Sequence, residues 1–168
     1  TFVETNAGGE DAWLIKTESD GDFLWSKNYG DSQDERFVSV LNTIDNGFLA
    51  AGHTSSDIDN NSGEKDLYLV KTDSNGELEW EKTIGGAKDD EFTKMIKTSD
   101  DGFLAIGFSR SNDGAIGSNA GEEDAIAFKL DSEGETIWST VIGGSGSDEA
   151  HDAVELPDGS YLIGILSE

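Results

Sequence analysis

Apolar residues along this chain come in short bursts separated by polar turns, and no segment sustains the 3.6-residue period of a helix. The bursts WLI (13–15), FVSVL (37–41), FLAA (48–51) and YLIGIL (161–166) are apolar with little alternation. That pattern predicts short β-strands buried on both faces. The polar segments are hairpin-grade. ESDG (18–21), DSNG (73–76) and DSEG (131–134) join one kind of strand pair, and DNG (45–47), DDG (100–102) and DG (158–159) join another.

The bursts recur. GEDAWLIKTESDGDFLW (9–25), GEKDLYLVKTDSNGELEW (63–80) and GEEDAIAFKLDSEGETIW (121–138) are copies of one motif. They align Asp11, Asp66 and Asp124, then Lys16, Lys71 and Lys129, and then Trp25, Trp80 and Trp138. Each Trp is followed by a Gly- and acid-rich link, a third strand, a tight turn and a fourth strand. That fourth strand reads GFLAAGHTSS from Gly47, GFLAIGFSRS from Gly102 and GSYLIGILSE from Gly159. The unit is therefore four strands in about 56 residues, with repeats near 9–62, 63–120 and 121–168 within a single module, 1–168. Repeated four-stranded antiparallel units predict an all-β fold of the β-propeller type. The recurring Trp is expected to pack between neighbouring sheets, with an aromatic platform for carbohydrate as the alternative. Gly52, Gly107 and Gly164 lie mid-strand, where a missing side chain lets backbone approach.

The segments DGFLAIGFSRS, EEDAIAFKLDSEG and IWSTVIGGSGSDEA resemble the bacterial seven-bladed β-propeller repeat of secreted and surface proteins, and the strand order is similar to kelch. The resemblance implies an innermost strand starting at the acids, as in DERFVSVLNT, DEFTKMIKTS and DEAHDAVELP. In that register the chain begins with strands three and four of a blade, runs through two full blades and finishes with strands one and two of another. The termini are then expected to share a blade. Three repeats stand where the family implies about seven. Since three sheets make a poor ring, the expected partner is a second copy that completes a six-bladed homodimer, or else the remainder of a longer propeller chain. A start at Thr1 reads as a mature or excised piece, and the resemblance implies an extracellular or cell-surface location.

Composition narrows the functions. The 168 residues carry 36 acids against 11 bases, a formal charge of −25. Such a surface repels phosphate backbones and anionic lipid, so no nucleic-acid partner and no membrane insertion are expected; a glycan or a basic protein remains. The chain has 21 Gly, one Pro and no Cys, so disulfide and thiol chemistry are excluded.

Antiparallel connectivity puts the tight turns on one rim and every long loop on the other, and the long loops are acidic. Asp57, Asp59 and Asn61, with Asp66 beyond, alternate oxygen ligands in a way that suits Ca²⁺, as do Asn112, Asp113, Asn119 and Asp124 with a different spacing. Neither set has the Gly and Glu spacing of an EF-hand, and Asx-turns are the alternative. Ca²⁺ is the only cofactor the sequence suggests. Asp34 and Glu35, then Asp89, Asp90 and Glu91, then Asp148 and Glu149 stand at the sheet entrances. Paired carboxylates there raise a glycan hydrolase or lyase as a rival reading. Their recurrence in each unit favours scaffold, and the expected function is a non-enzymatic binding or interaction module, with a purely structural repeat as the further alternative. His53 and His151 carry no motif.

Overall fold

The computed structural model describes residues 6–58 and 64–168. Among them are twelve strands and no helix, and every strand pairing is antiparallel. β1 (Ala12–Thr17) and β2 (Phe23–Tyr29) form a two-stranded sheet. β3 (Glu35–Asn42), β4 (Phe48–Thr54), β5 (Asp66–Thr72) and β6 (Leu78–Ile84) form a four-stranded sheet in sequential order. β7 (Asp90–Lys97), β8 (Phe103–Ser109), β9 (Asp124–Leu130) and β10 (Thr136–Ile142) form a second. β11 (Asp148–Glu155) and β12 (Tyr161–Ser167) pair alone. The arrangement is consistent with a propeller-like fold. The sheets do not close, however. The two end sheets do not pair with each other, so within one chain the termini do not share a blade as the sequence led us to expect.

Three apolar interfaces hold the four sheets in a row. Leu14 and Tyr29 of the first sheet pack on Phe37, Ala50, Tyr68 and Val70 of the second. Leu49, Leu67 and Leu69 of the second pack on Met95, Phe103, Ile126 and Phe128 of the third. Leu104, Ile106, Ala125 and Ala127 of the third meet Ala150, Tyr161, Ile163 and Ile165 of the fourth. Two-sided burial makes β5 and β9 buried at every residue. Their counterpart at the open end, β1, alternates.

The recurring Trp lies between sheets. Trp25 covers Gly76 and meets Phe48 with ring centroids 6.0 Å apart; Trp80 covers Gly134; Trp138 meets Tyr161 at 5.9 Å. A Cβ on Gly76 or Gly134 would collide with the indole, which is one reason each turn carries Gly. The positive φ there (78° and 75°) is the other.

The equivalent strands β3, β7 and β11 bulge at the same place, after Phe37, Phe92 and Ala150. Gly52 and Gly107 sit opposite the bulge, against the carbonyls of Arg36 and Glu91. Gly164 does not. Its pairing partner is Asp152, and Ile165 stands opposite Ala150. Gly164 therefore occupies the position of Ala51 and Ile106, one residue out of the register that the glycines suggest. The cause is the turn: Gly159 (φ 83°) takes the left-handed position held by Asn46 (67°) and Asp101 (62°), which makes Ser160 the counterpart of Gly47 and Gly102.

Candidate functional site

The long loops share one rim. Strand-entrance residues of β3, β7 and β11 bond the loops that lead into β1, β5 and β9: Glu35 N–H to Glu10 C=O (2.6 Å), Asp90 N–H to Lys65 C=O (2.8 Å) and Asp148 N–H to Glu123 C=O (2.8 Å).

At this rim the structure divides the entrance acids into two groups. Glu35, Asp90 and Asp148 are buried and hydrogen-bonded in a repeated manner. One oxygen of each accepts a backbone N–H from the preceding link: Asp31 to Glu35 at 3.0 Å, Gly86 to Asp90 at 2.7 Å and Gly144 to Asp148 at 2.7 Å. A hydroxyl at the end of the next strand supplies a second bond, from Thr54 to Glu35 (2.8 Å), from Ser109 to Asp90 and from Ser167 to Asp148. Ser111 adds a third to Asp90 at 2.9 Å. Burial still pushes Asp90 above the usual carboxylate range. The hydroxyls were missed in the sequence reading; the recurring T-S-S (54–56) and S-R-S (109–111) were their signal.

The second group reaches solvent or bonds basic side chains. Asp34 is exposed and accepts the Glu10 N–H at 2.9 Å. Asp89 pairs with Arg110 (3.0 Å), which also reaches Glu123. Glu149 lies 3.2 Å from His151. Glu91 pairs with Lys65 at 2.8 Å and lies 3.4 Å from His53 Nδ1.

His53 is the main departure from the repeat, because Phe108 and Leu166 occupy its position. It is buried, its Nδ1 makes no hydrogen bond, and burial holds its pKa below the ordinary imidazole value against the pull of Glu91. His53, Lys65, Arg36 and Glu91 line a cleft of about 140 Å³. Small-molecule sites run from ~300 Å³, so this cleft suits an ion or a few waters.

Of the Ca²⁺ candidates, Asp59 and Asn61 lie outside the described residues, and Asp57 is exposed. In the second loop each of these residues offers one side-chain oxygen to a different backbone N–H: Asn112 accepts from Asn119 (3.1 Å), Asn119 from Gly121 (2.8 Å), Asp113 from Ala87 (2.8 Å) and Asp124 from Ala120. These are Asx-type loop bonds rather than oxygens converging on one point. Among the described residues no three acids or histidines are grouped as metal ligands.

Asp11, Asp66 and Asp124 open equivalent strands. Asp11 accepts the Ala7 N–H at 2.9 Å, just as Asp124 accepts that of Ala120. Asp66 and Asp90 flank Gly85, and Asp124 and Asp148 flank Gly143, each close enough that a Cβ on the glycine would collide with both carboxylates. The second oxygen of Asp124 is buried without a hydrogen-bond partner and lies against Gly143.

No family model matches the chain. It is similar to the regulatory protein FlaEY of Caulobacter vibrioides, with 26% identity over 173 residues. That alignment covers 93% of this chain and 18% of FlaEY, so the chain spans under a fifth of that relative's length.

Proposed function

We propose that this chain is a β-propeller module of a secreted or cell-surface protein, built from three offset repeats, and that it binds partners through its acidic loop rim without catalysing a reaction. The observation that carries this reading is the engagement of Glu35, Asp90 and Asp148. The acids that recur at every entrance hold the links between sheets in place, each with a backbone N–H and a hydroxyl as fixed donors. A general acid or base needs an oxygen free to meet substrate. The exposed acids Asp34, Asp57 and Asp113 surround this framework and give the rim its charge.

The test uses oligolysine as a basic probe, followed by calorimetry at low and high salt, with a duplex DNA control and a panel of neutral glycans. Oligolysine is expected to bind with an affinity that falls as salt rises, DNA is expected not to bind, and Asp57→Lys with Asp113→Lys is expected to weaken the oligolysine complex. Release of reducing ends from any glycan, lost in Glu91→Gln, would replace this reading with the hydrolase or lyase.

A further inference from the structure

The two end sheets carry the two halves of an interaction that each complete sheet makes internally. In the second sheet the buried Lys71 ammonium bonds Asp45 (2.7 Å) in the turn between β3 and β4, across the β4–β5 pair. In the third, Lys129 bonds Asp100 (2.9 Å) across β8–β9. The corresponding lysine of the first sheet is Lys16, and the corresponding turn aspartate of the last is Asp158. These two do not meet. Lys16 bonds the Ser74 carbonyl at 3.2 Å, and Asp158 is exposed and bonds only its neighbour Ser160.

The apolar faces are divided in the same way. Trp13 and Ile15 on β1 are 40% and 51% exposed, whereas their counterparts Tyr68 and Val70 on β5 are fully buried. Leu162 on β12 is 63% exposed, whereas Leu49 and Leu104 are fully buried. Side-chain sizes also match. β9 presents the small Ala125 and Ala127 toward the last sheet, on the face that a strand beside β12 would cover with Trp13.

We infer that β12 of one chain pairs antiparallel with β1 of a second copy, and that the reciprocal pair closes the assembly. This rests on the propeller reading above. The register follows β4–β5: Tyr161 faces Thr17, Leu162 faces Lys16, Ile163 faces Ile15 and Ser167 faces Asp11, all from the partner copy. Lys16 then reaches Asp158 across the interface. Two copies supply four complete sheets and two composite ones. Six blades lie within the four to eight that propellers use, and two-fold symmetry leaves neither β12 nor β1 without a neighbouring strand. One position strains the fit. Ser160 stands where Gly47 and Gly102 do, and a Cβ on either glycine would collide with the neighbouring strand's carbonyl.

Light scattering on the eluting 168-residue chain is expected to give twice its 18.0 kDa mass. Lys16→Glu and Asp158→Lys are each expected to shift it toward one chain, and the double exchange to restore the pair. Ser160→Gly is expected to tighten the pair at least severalfold by removing the Cβ overlap. Amide exchange in wild-type β12 and β1 is expected to slow with rising protein concentration, a readout that needs no variant. A mass of one chain at micromolar concentration overturns the pairing and assigns the open edge to a further repeat of a longer chain. A mass that climbs past two chains overturns closure, and charge exchange without effect overturns the register. The loop-rim reading is tested by oligolysine binding and does not depend on any of these outcomes.

Discussion

Lys71 and Lys129 occupy the same repeat position but have different support. Both ammonium groups are buried, and each bonds one turn aspartate and one strand-end carbonyl. Lys71 has a further carboxylate, Glu79, at 2.6 Å. In the third repeat that position is Ile137. Removing the aspartate therefore leaves Lys129 with far less than Lys71. Asp100→Asn is expected to destabilise by about 1–3 kcal/mol in urea denaturation, the penalty for an under-satisfied buried donor, and Asp45→Asn by less. The Thr98 hydroxyl and Lys129 hold Asp100 at about 2, below its ordinary 3.8. A depressed carboxylate stabilises the fold above its unfolded value, so this contribution is complete above about pH 4 and fades as pH falls toward 2. His53 titrates in a higher window. Burial lowers it from 6.5, Lys65 and Arg36 lower it further, and Glu91 and Asp89 oppose them. The unfolded chain takes up the proton first, so stability is lost as pH falls below about 6.5. His53→Phe, which copies Phe108, is expected to show a smaller loss of the urea midpoint between pH 7.5 and 5.5 than wild type.

At the scale of strands, position in the stack decides what a side chain is worth. Trp80 belongs to an interior interface and packs on the largest apolar cluster. Trp80→Ala is expected to cost about 3–5 kcal/mol by denaturant unfolding. Ile137, on the outermost strand of its sheet, is exposed, and Ile137→Ala should change stability by no more than about 0.5 kcal/mol. The bulge imposes a similar contrast. Gly107→Ala drives a methyl into the Glu91 carbonyl, whereas Gly164 has no atom closer than the Asp152 carbonyl at 3.7 Å. Gly107→Ala is expected to lower the melting temperature by several degrees and Gly164→Ala hardly at all. Equal effects would mean that β8 and β12 meet their bulges in the same register.

Across the whole molecule, 25 uncompensated negative charges act on one another through solvent. Added salt relieves that repulsion within a Debye length of about 8 Å at physiological strength, so NaCl should raise the melting temperature. Asn112, Asp113 and Asn119 of the second loop each offer one oxygen to a separate backbone N–H. CaCl₂ at matched ionic strength is therefore expected to give the same increment as NaCl. A larger increment with Ca²⁺ would establish a specific site and point to the first loop, whose Asp59 and Asn61 lie outside the described residues.

The sequence by itself determined the strands, the turns that join them and the offset of the sheets along the chain. Those are local or repeated properties: two-sided apolar bursts, Asx- and Gly-bearing turns, and a motif whose Lys and Trp recur in register. It also placed Trp between sheets, since a large apolar group repeated at the end of an outer strand has nowhere else to be buried. Only the tertiary structure decided the roles of the entrance acids, because Asp90 and Ser109 are 19 residues apart in sequence and bond only when β7 lies beside β8. It alone drew His53 and Glu91 to 3.4 Å, across two sheets. It also moved Gly164 out of the position its sequence match suggests, since strand register follows turn geometry and the bulge rather than letter identity. And it left Trp13 and Leu162 uncovered, because a face is buried only when another sheet lies against it, and the chain's own end sheets do not meet.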